Sequence, residues 1–112
     1  MASAPQVTLG LSGASADDVI AVARHEAQIS ISTQVLEELA SVRAHIDALA
    51  SADTPVYGIS TGFGALATRH IAPEDRAKLQ RSLIRSHAAG MGEPVERQVV
   101  RALMFLRAKT LA

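Results

Sequence analysis

The chain has 112 residues, of which eleven are basic and eleven acidic, so its formal charge at pH 7 is zero. This length is typical of one domain. A chain without net positive charge has no field that would attract nucleic acid or an anionic membrane. A chain without cysteine forms neither disulfides nor thiolate metal sites. These properties favour a cytoplasmic protein that binds neither nucleic acid nor membrane.

The hydrophobic share of 48% includes only 3% aromatic residues and comes mainly from Ala, Leu, Val and Ile. This composition favours packed helices over an all-β core. Arg101, Arg107 and Lys109 interrupt the longest apolar cluster, well short of the roughly 20 residues that a membrane span needs. We therefore predict a mainly α fold.

The segment of about residues 7–32 predicts two short strands around a short helix. Both strands alternate polar and apolar residues, and we expect them to pair as a small antiparallel β-ribbon. Ser15 and Asp18 stand at the spacing of an acidic capping box, which predicts that the helix begins at about Ala16 and ends near His25.

Three longer helices are predicted at about residues 33–52, 73–89 and 94–112. Ser32 or Thr33 caps the first, and Pro73 and Pro94 begin the others. Gly90 is expected to stop the second. An apolar stripe follows helical spacing in two of them: in the first helix Val35, Leu36, Leu39, Val42, Ile46 and Leu49, and in the last Val95, Val99, Ala102, Leu103, Leu106 and Thr110. In the last helix Val100, Met104, Phe105 and Leu111 add apolar surface elsewhere. The last helix is apolar on most of its circumference, so we expect a larger body or a partner to bury it.

A glycine-rich loop is predicted at about residues 54–71, and it carries the only tyrosine, Tyr57. Gly58, Gly62 and Gly64 permit unusual backbone geometry. Such a loop could swing the phenol over a substrate as a general acid or base. The alternative is a tight surface turn with an incidental tyrosine.

His87 is the second candidate, because it continues the helical face of Leu79 and Leu83. It could recognise one end of a substrate in an apolar pocket, or be a hydrogen-bonded core histidine. Isolated histidines elsewhere give no metal-site pattern. Four arginines are expected to form a solvated or intersubunit face: Arg69, Arg76, Arg81 and Arg85.

Two motifs together, residues 57–64 (Tyr-Gly-Ile-Ser-Thr-Gly-Phe-Gly) and residues 85–92 (Arg-Ser-His-Ala-Ala-Gly-Met-Gly), resemble the N-terminal portion of aromatic amino-acid ammonia-lyases. The resemblance extends from about Val7 to Ala112. It implies that Tyr57 is the catalytic acid/base at the substrate β-carbon, on a mobile loop that includes Gly58, Thr61, Gly62, Phe63 and Gly64. It also implies that His87 faces the substrate side chain.

The reaction implied by the resemblance is elimination of ammonia from L-histidine to give trans-urocanate, the first step of histidine degradation. The family acts as a homotetramer and uses a methylidene-imidazolone (MIO) formed from an internal Ala-Ser-Gly, which these residues lack. We therefore expect a single N-terminal portion, residues 1–112, that is inactive by itself. The alternatives are a tyrosine ammonia-lyase, an MIO-dependent aminomutase, and a non-catalytic helical binding module.

Overall fold

A computed structural model describes residues 5–112 and is mostly helical, as the composition predicts. The elements follow in chain order: β1 Gln6–Leu9, α1 Ala16–Arg24, β2 Gln28–Ile31, α2 Thr33–Ser51, a 3₁₀ turn Gly64–Leu66, α3 Pro73–His87 and α4 Arg97–Leu111. They form two compact units. The first contains the chain up to Ser41 together with Glu93–Ala112, and the second is Val42–Gly92. None of the helices in the described residues combines the length and hydropathy of a transmembrane segment.

The two strands of the first unit run parallel, so the prediction of an antiparallel ribbon is wrong. Gln6 pairs with Gln28, and the register continues to Leu9 opposite Ile31. The connection between the strands contains helix α1 and brings the chain back to the end of the pair at which β1 begins. Parallel pairing requires such a crossover connection.

Helix α1 begins as predicted, with a complete capping box. The Ser15 hydroxyl accepts the backbone N–H of Asp18 at 3.1 Å. The Asp18 carboxylate accepts the backbone N–H of Ser15 at 2.9 Å and the Ser15 hydroxyl at 2.8 Å. The Ser15 backbone N–H, and then its hydroxyl, hold the pKa of the Asp18 carboxyl below its ordinary value of 3.8.

The core of the first unit contains Phe105 with four smaller side chains: Val7, Leu9, Val22 and Ala27. The fully buried side chain of α4 is Phe105, which is 1% exposed and lies outside the apolar stripe noted in the sequence, whereas Leu103 lies within the stripe and is 68% exposed. The inward face of α4 also carries cations that bind backbone carbonyls. Arg101 Nε donates to Val22 O at 2.7 Å, and Lys109 Nζ to Gly10 O at 2.9 Å.

Helix α2 begins at Thr33, where the Ser32 hydroxyl accepts the Val35 N–H at 3.3 Å. Val35 is fully buried. Leu36, Leu39 and Val42, which share its predicted face, are exposed in the described residues. The face therefore contributes a single side chain, Val35, to the buried residues.

Helices α3 and α4 are slightly shorter than predicted. Ala88 leaves the helical conformation with ψ of 58°, so α3 ends at His87, before Gly90 is reached. Glu96 remains extended with ψ of 137°, and its carbonyl accepts the first N–H bonds of α4, from Val99 and Val100. Pro94 therefore precedes the helix instead of beginning it.

Candidate active site

Tyr57 lies in a hydrogen-bonded turn of the second unit. The backbone N–H groups of Ile59 and Ser60 both donate to Val56 O at 3.0 Å. The Ser60 hydroxyl accepts the Val56 N–H at 2.9 Å, and Ser60 is completely buried. Tyr57 is 63% exposed. The turn is thus anchored by its last residue, while the phenol projects toward solvent.

A short antiparallel bridge closes the loop behind this turn. Thr61 pairs with His70, since the Gly62 N–H donates to Arg69 O at 3.1 Å and the Ile71 N–H to Ser60 O at 2.9 Å. Buried Thr61 accepts the Gly58 N–H at 3.3 Å and donates its hydroxyl to Gly62 O at 3.0 Å. Ser60 and Thr61 are therefore buried residues whose hydroxyls bond to backbone groups of the loop.

The three loop glycines each meet a steric requirement. Gly58 and Gly64 have φ of 73° and 55°, in the left-handed region that favours glycine. A Cβ on Gly62 would lie 2.5 Å from Leu66 Cβ and 3.1 Å from Leu66 O, which is too close for any side chain. Backbone geometry therefore explains why glycine occupies each of these three positions. The mobility expected of the loop stays a prediction.

The phenol ring has one aromatic neighbour in the described residues, Phe63. The ring centroids lie 5.9 Å apart and the planes meet at 83°, an edge-to-face arrangement. Phe63 immediately precedes the 3₁₀ turn. Two residues of the predicted loop motif are thus in direct contact.

His87 is the last residue of α3, and its imidazole is exposed. Nδ1 lies 2.8 Å from Leu83 O and 3.1 Å from the Ser86 hydroxyl. Because a carbonyl oxygen only accepts, the bond to Leu83 requires the hydrogen on Nδ1. In neutral imidazole, Nε2 is then an acceptor. His87 is therefore arranged to accept an N–H or O–H from a partner.

Tyr57 and His87 both lie in the second unit, but their contacts in the described part of the chain are separate. Tyr57 contacts Phe63, whereas His87 is bonded to its own helix. A cleft of about 560 Å³ in this unit is lined by residues of the loop end and α3, from Leu66 to Ser82, and includes neither of them.

Arg76 differs from the solvated face that was one of the two alternatives for the arginines, the other being an intersubunit face. Its side chain is half-buried and bonded to the backbone. Nη1 donates to Ala50 O at 2.7 Å, and Nε donates to Ile71 O at 3.0 Å. The available signal was helical spacing, since Arg76 shares a face with Leu79 and Leu83.

Comparison with known proteins shows which proteins the sequence is similar to. A family model described as aromatic amino acid lyase matches residues 14–112. The chain is 62% identical to histidine ammonia-lyase of Streptomyces griseus over 106 residues, which are 95% of this chain and 21% of that protein. Histidine ammonia-lyase of Treponema denticola is 42% identical over 106 residues, again 95% and 21%.

Two solved structures share the fold. Ergothionase from Treponema denticola, an ergothioneine-degrading enzyme in complex with desmethyl-ergothioneine sulfonic acid, has a TM-score of 0.88 at 27% identity, covering 95% of this chain and 21% of that one. Tyrosine aminomutase from Streptomyces globisporus has a TM-score of 0.86 at 25% identity, covering 95% and 20%. The predicted helical lyase fold is therefore confirmed.

The chain belongs to the aromatic amino acid lyase family, since the family model matches most of its length. It spans about a fifth of the length of the curated relatives that it matches.

The family in general depends on MIO, and the residues present do not provide it. The 112 residues contain no Ala-Ser-Gly. Ala14-Ser15-Ala16, one of the Ala-Ser-Ala tripeptides in the sequence, has its serine engaged as the N-cap of α1. In the described residues, no group of three or more His, Asp or Glu side chains is placed to hold a metal ion.

Proposed function

We propose that the chain is the N-terminal portion of a histidine ammonia-lyase, which converts L-histidine to trans-urocanate and ammonia as the first step of histidine degradation. The observation that carries the proposal is the 62% identity to a histidine ammonia-lyase across 95% of the chain. We further propose that the complete polypeptide is a cytoplasmic homotetramer and that these residues are inactive by themselves.

In this proposal the phenolate form of Tyr57 takes up the proton from the substrate β-carbon and becomes a neutral phenol. Elimination breaks a β-C–H and an α-C–N bond, forms a C=C bond and releases ammonia, so a group must take up the β-hydrogen as a proton. The exposure of Tyr57 supports the role, because a general base must come within hydrogen-bond reach of the proton that it takes up. Activation of the leaving amino group is the chemistry that MIO supplies, from residues outside this sequence.

His87 recognises the substrate side chain in the same proposal. With its hydrogen on Nδ1, neutral His87 presents Nε2 as an acceptor. An imidazole N–H of L-histidine is a matching donor. The phenolic hydroxyl of L-tyrosine is also a donor, so a tyrosine ammonia-lyase or an aminomutase remains the second candidate. The structural likeness to tyrosine aminomutase favours keeping it.

The complete polypeptide should therefore be assayed with L-histidine and L-tyrosine in parallel. We expect trans-urocanate and ammonia from L-histidine, and at most slow coumarate formation from L-tyrosine. Faster coumarate formation would assign a tyrosine ammonia-lyase, and a β-amino acid product would assign an aminomutase. A polypeptide without turnover of either substrate would support a non-catalytic helical binding module.

Tyr57→Phe tests the role of the phenol. Removing one hydroxyl leaves the ring and its contact with Phe63 in place, so the fold should be unchanged. Loss of a general acid or base lowers turnover by about 100-fold or more. Near-normal kcat in this variant would remove Tyr57 from the reaction.

A further inference from the structure

The guanidinium of Arg76 binds the chain on both sides of the loop that carries Tyr57. Ala50 belongs to the last turn of α2, before the loop, and Ile71 follows the Thr61–His70 bridge, after it. Arg76 donates to both carbonyls, at 2.7 Å and 3.0 Å. One side chain therefore spans the start and the end of the loop.

Both carbonyls benefit from a cationic donor. Ala50 O lies among the last carbonyls of α2, which have no partner within the helix, and a positive charge there also suits the negative end of the helix dipole. Ile71 accepts from Arg76 through its carbonyl, while its N–H donates to Ser60 O at 2.9 Å. Hydrogen bonds from charged donors are stronger than those between neutral groups.

A continuous set of bonds joins Arg76 to the turn of Tyr57. Arg76 holds Ile71, Ile71 holds Ser60, and Ser60 binds Val56 through both its N–H and its hydroxyl. Val56 is the residue directly before Tyr57. A shift of the Ile71 carbonyl would therefore be transmitted to the backbone that carries the phenol.

We propose that Arg76 is a positioning residue that fixes the base of the Tyr57 loop through the Ala50 and Ile71 carbonyls. The proposal rests on the proposed function for its effect on turnover, but the effect on the loop itself is independent of it. Lysine can substitute only in part, because Nε and Nη1 of Arg76 place two donors at separate carbonyls, whereas an ammonium is a single point.

The experiment compares Arg76→Ala and Arg76→Lys with wild type in the complete polypeptide. The control is Lys78→Ala, which removes a positive charge from an exposed side chain of the same helix. Amide hydrogen exchange is read at Gly62 and Ile71, whose N–H groups close the loop. We expect exchange there to be about tenfold faster in Arg76→Ala, and unchanged in Lys78→Ala.

Turnover gives the second readout. Loss of positioning should lower kcat about 10- to 100-fold in Arg76→Ala while KM changes less than about threefold. Arg76→Lys retains the charge and should show the same pattern with a smaller kcat loss. If Arg76→Ala does not fold, Arg76→Lys still tests the proposal. Wild-type exchange and kcat in both variants would overturn the proposal. Faster exchange throughout α3 with a lowered melting temperature would also overturn it, because Arg76 would then be a general stability residue.

The two proposals fail in different ways. If wild type has no lyase activity but Arg76→Ala still accelerates exchange at Gly62 and Ile71, the proposed function fails and the role of Arg76 in holding the loop stands. If wild type is active and the Arg76 variants match it in exchange and kcat, the Arg76 proposal alone fails.

Discussion

The ring of Phe63 meets the ring of Tyr57 edge-to-face, with centroids 5.9 Å apart. The same ring covers Gly58, since a Cβ on Gly58 would lie 3.3 Å from Phe63 Cε1. Phe63 thus contacts both the proposed catalytic side chain and the residue that follows it. An exposed phenol on a surface turn has few other constraints, so this contact should restrict where the hydroxyl points.

Phe63→Leu should lower kcat about 2- to 10-fold, because an aromatic pair is worth about 0.5–1.5 kcal/mol beyond its buried area. Phe63→Tyr retains the ring and is the matched control. Steady-state kinetics of the complete polypeptide with L-histidine provides the measurement. Equal kcat for Phe63→Leu and Phe63→Tyr would mean that the edge contact does not restrict Tyr57.

Gly62→Ala should destabilise the loop by about 1–3 kcal/mol, the usual range for overpacking. The clash is with Leu66 Cβ and Leu66 O, atoms that alanine also has, so adding Leu66→Ala should not rescue it. Gly13→Ala is the control, since its added Cβ meets nothing within 4 Å. Amide exchange at Gly64–Leu66 measures the loss. Full rescue by Leu66→Ala would show that the outer side chain, and not the close backbone approach, requires glycine.

The motifs select candidate residues for the site, but they do not report how these residues are held. Tyr57 and His87 are candidates because of residue type and family resemblance, and Gly62 because of its place in the glycine-rich loop motif. The support of the loop by Arg76 was missed because it depends on two backbone carbonyls, at Ala50 and Ile71. Every residue has a backbone carbonyl, so the spacing of residue types does not indicate which carbonyl a side chain will bind.

The same limit explains the errors in the fold. Local signals such as the Ser15–Asp18 capping box predicted the start of α1 correctly. The apolar stripe of α4 does not mark its inward face, because Arg101 and Lys109 lie on that face and extend their charged ends to carbonyls, as long cationic side chains do. An apolar stripe does not include such charged positions. The direction of β2 relative to β1 likewise depends on the path of α1, and the alternation of polar and apolar residues within a strand does not indicate this path.

Phe105→Ala should destabilise the first unit by about 3–5 kcal/mol, because it empties the largest buried position of the core. Leu103→Ala, on the same helix but mostly exposed, should cost less than about 0.5 kcal/mol. Urea unfolding of the two variants of the 112-residue chain, followed by circular dichroism, measures both. Equal losses would mean that Leu103 contributes as much to the core of the first unit as Phe105 does.

Helix α1 should lose stability in acid through Asp18. The pKa of this carboxyl is lowered by the Ser15 N–H and hydroxyl, so the charged form is favoured in the folded state. The resulting stabilisation is fully present above the ordinary value of 3.8 and is lost as pH falls through the lower folded pKa. Amide exchange of α1, corrected for the intrinsic effect of pH, should therefore accelerate below about pH 4 in wild type. In Asp18→Asn the neutral side chain cannot titrate, so this acceleration should be absent, whereas Asp17→Asn should retain it. An identical pH profile for Asp18→Asn and wild type would assign the acid sensitivity of α1 to another carboxylate.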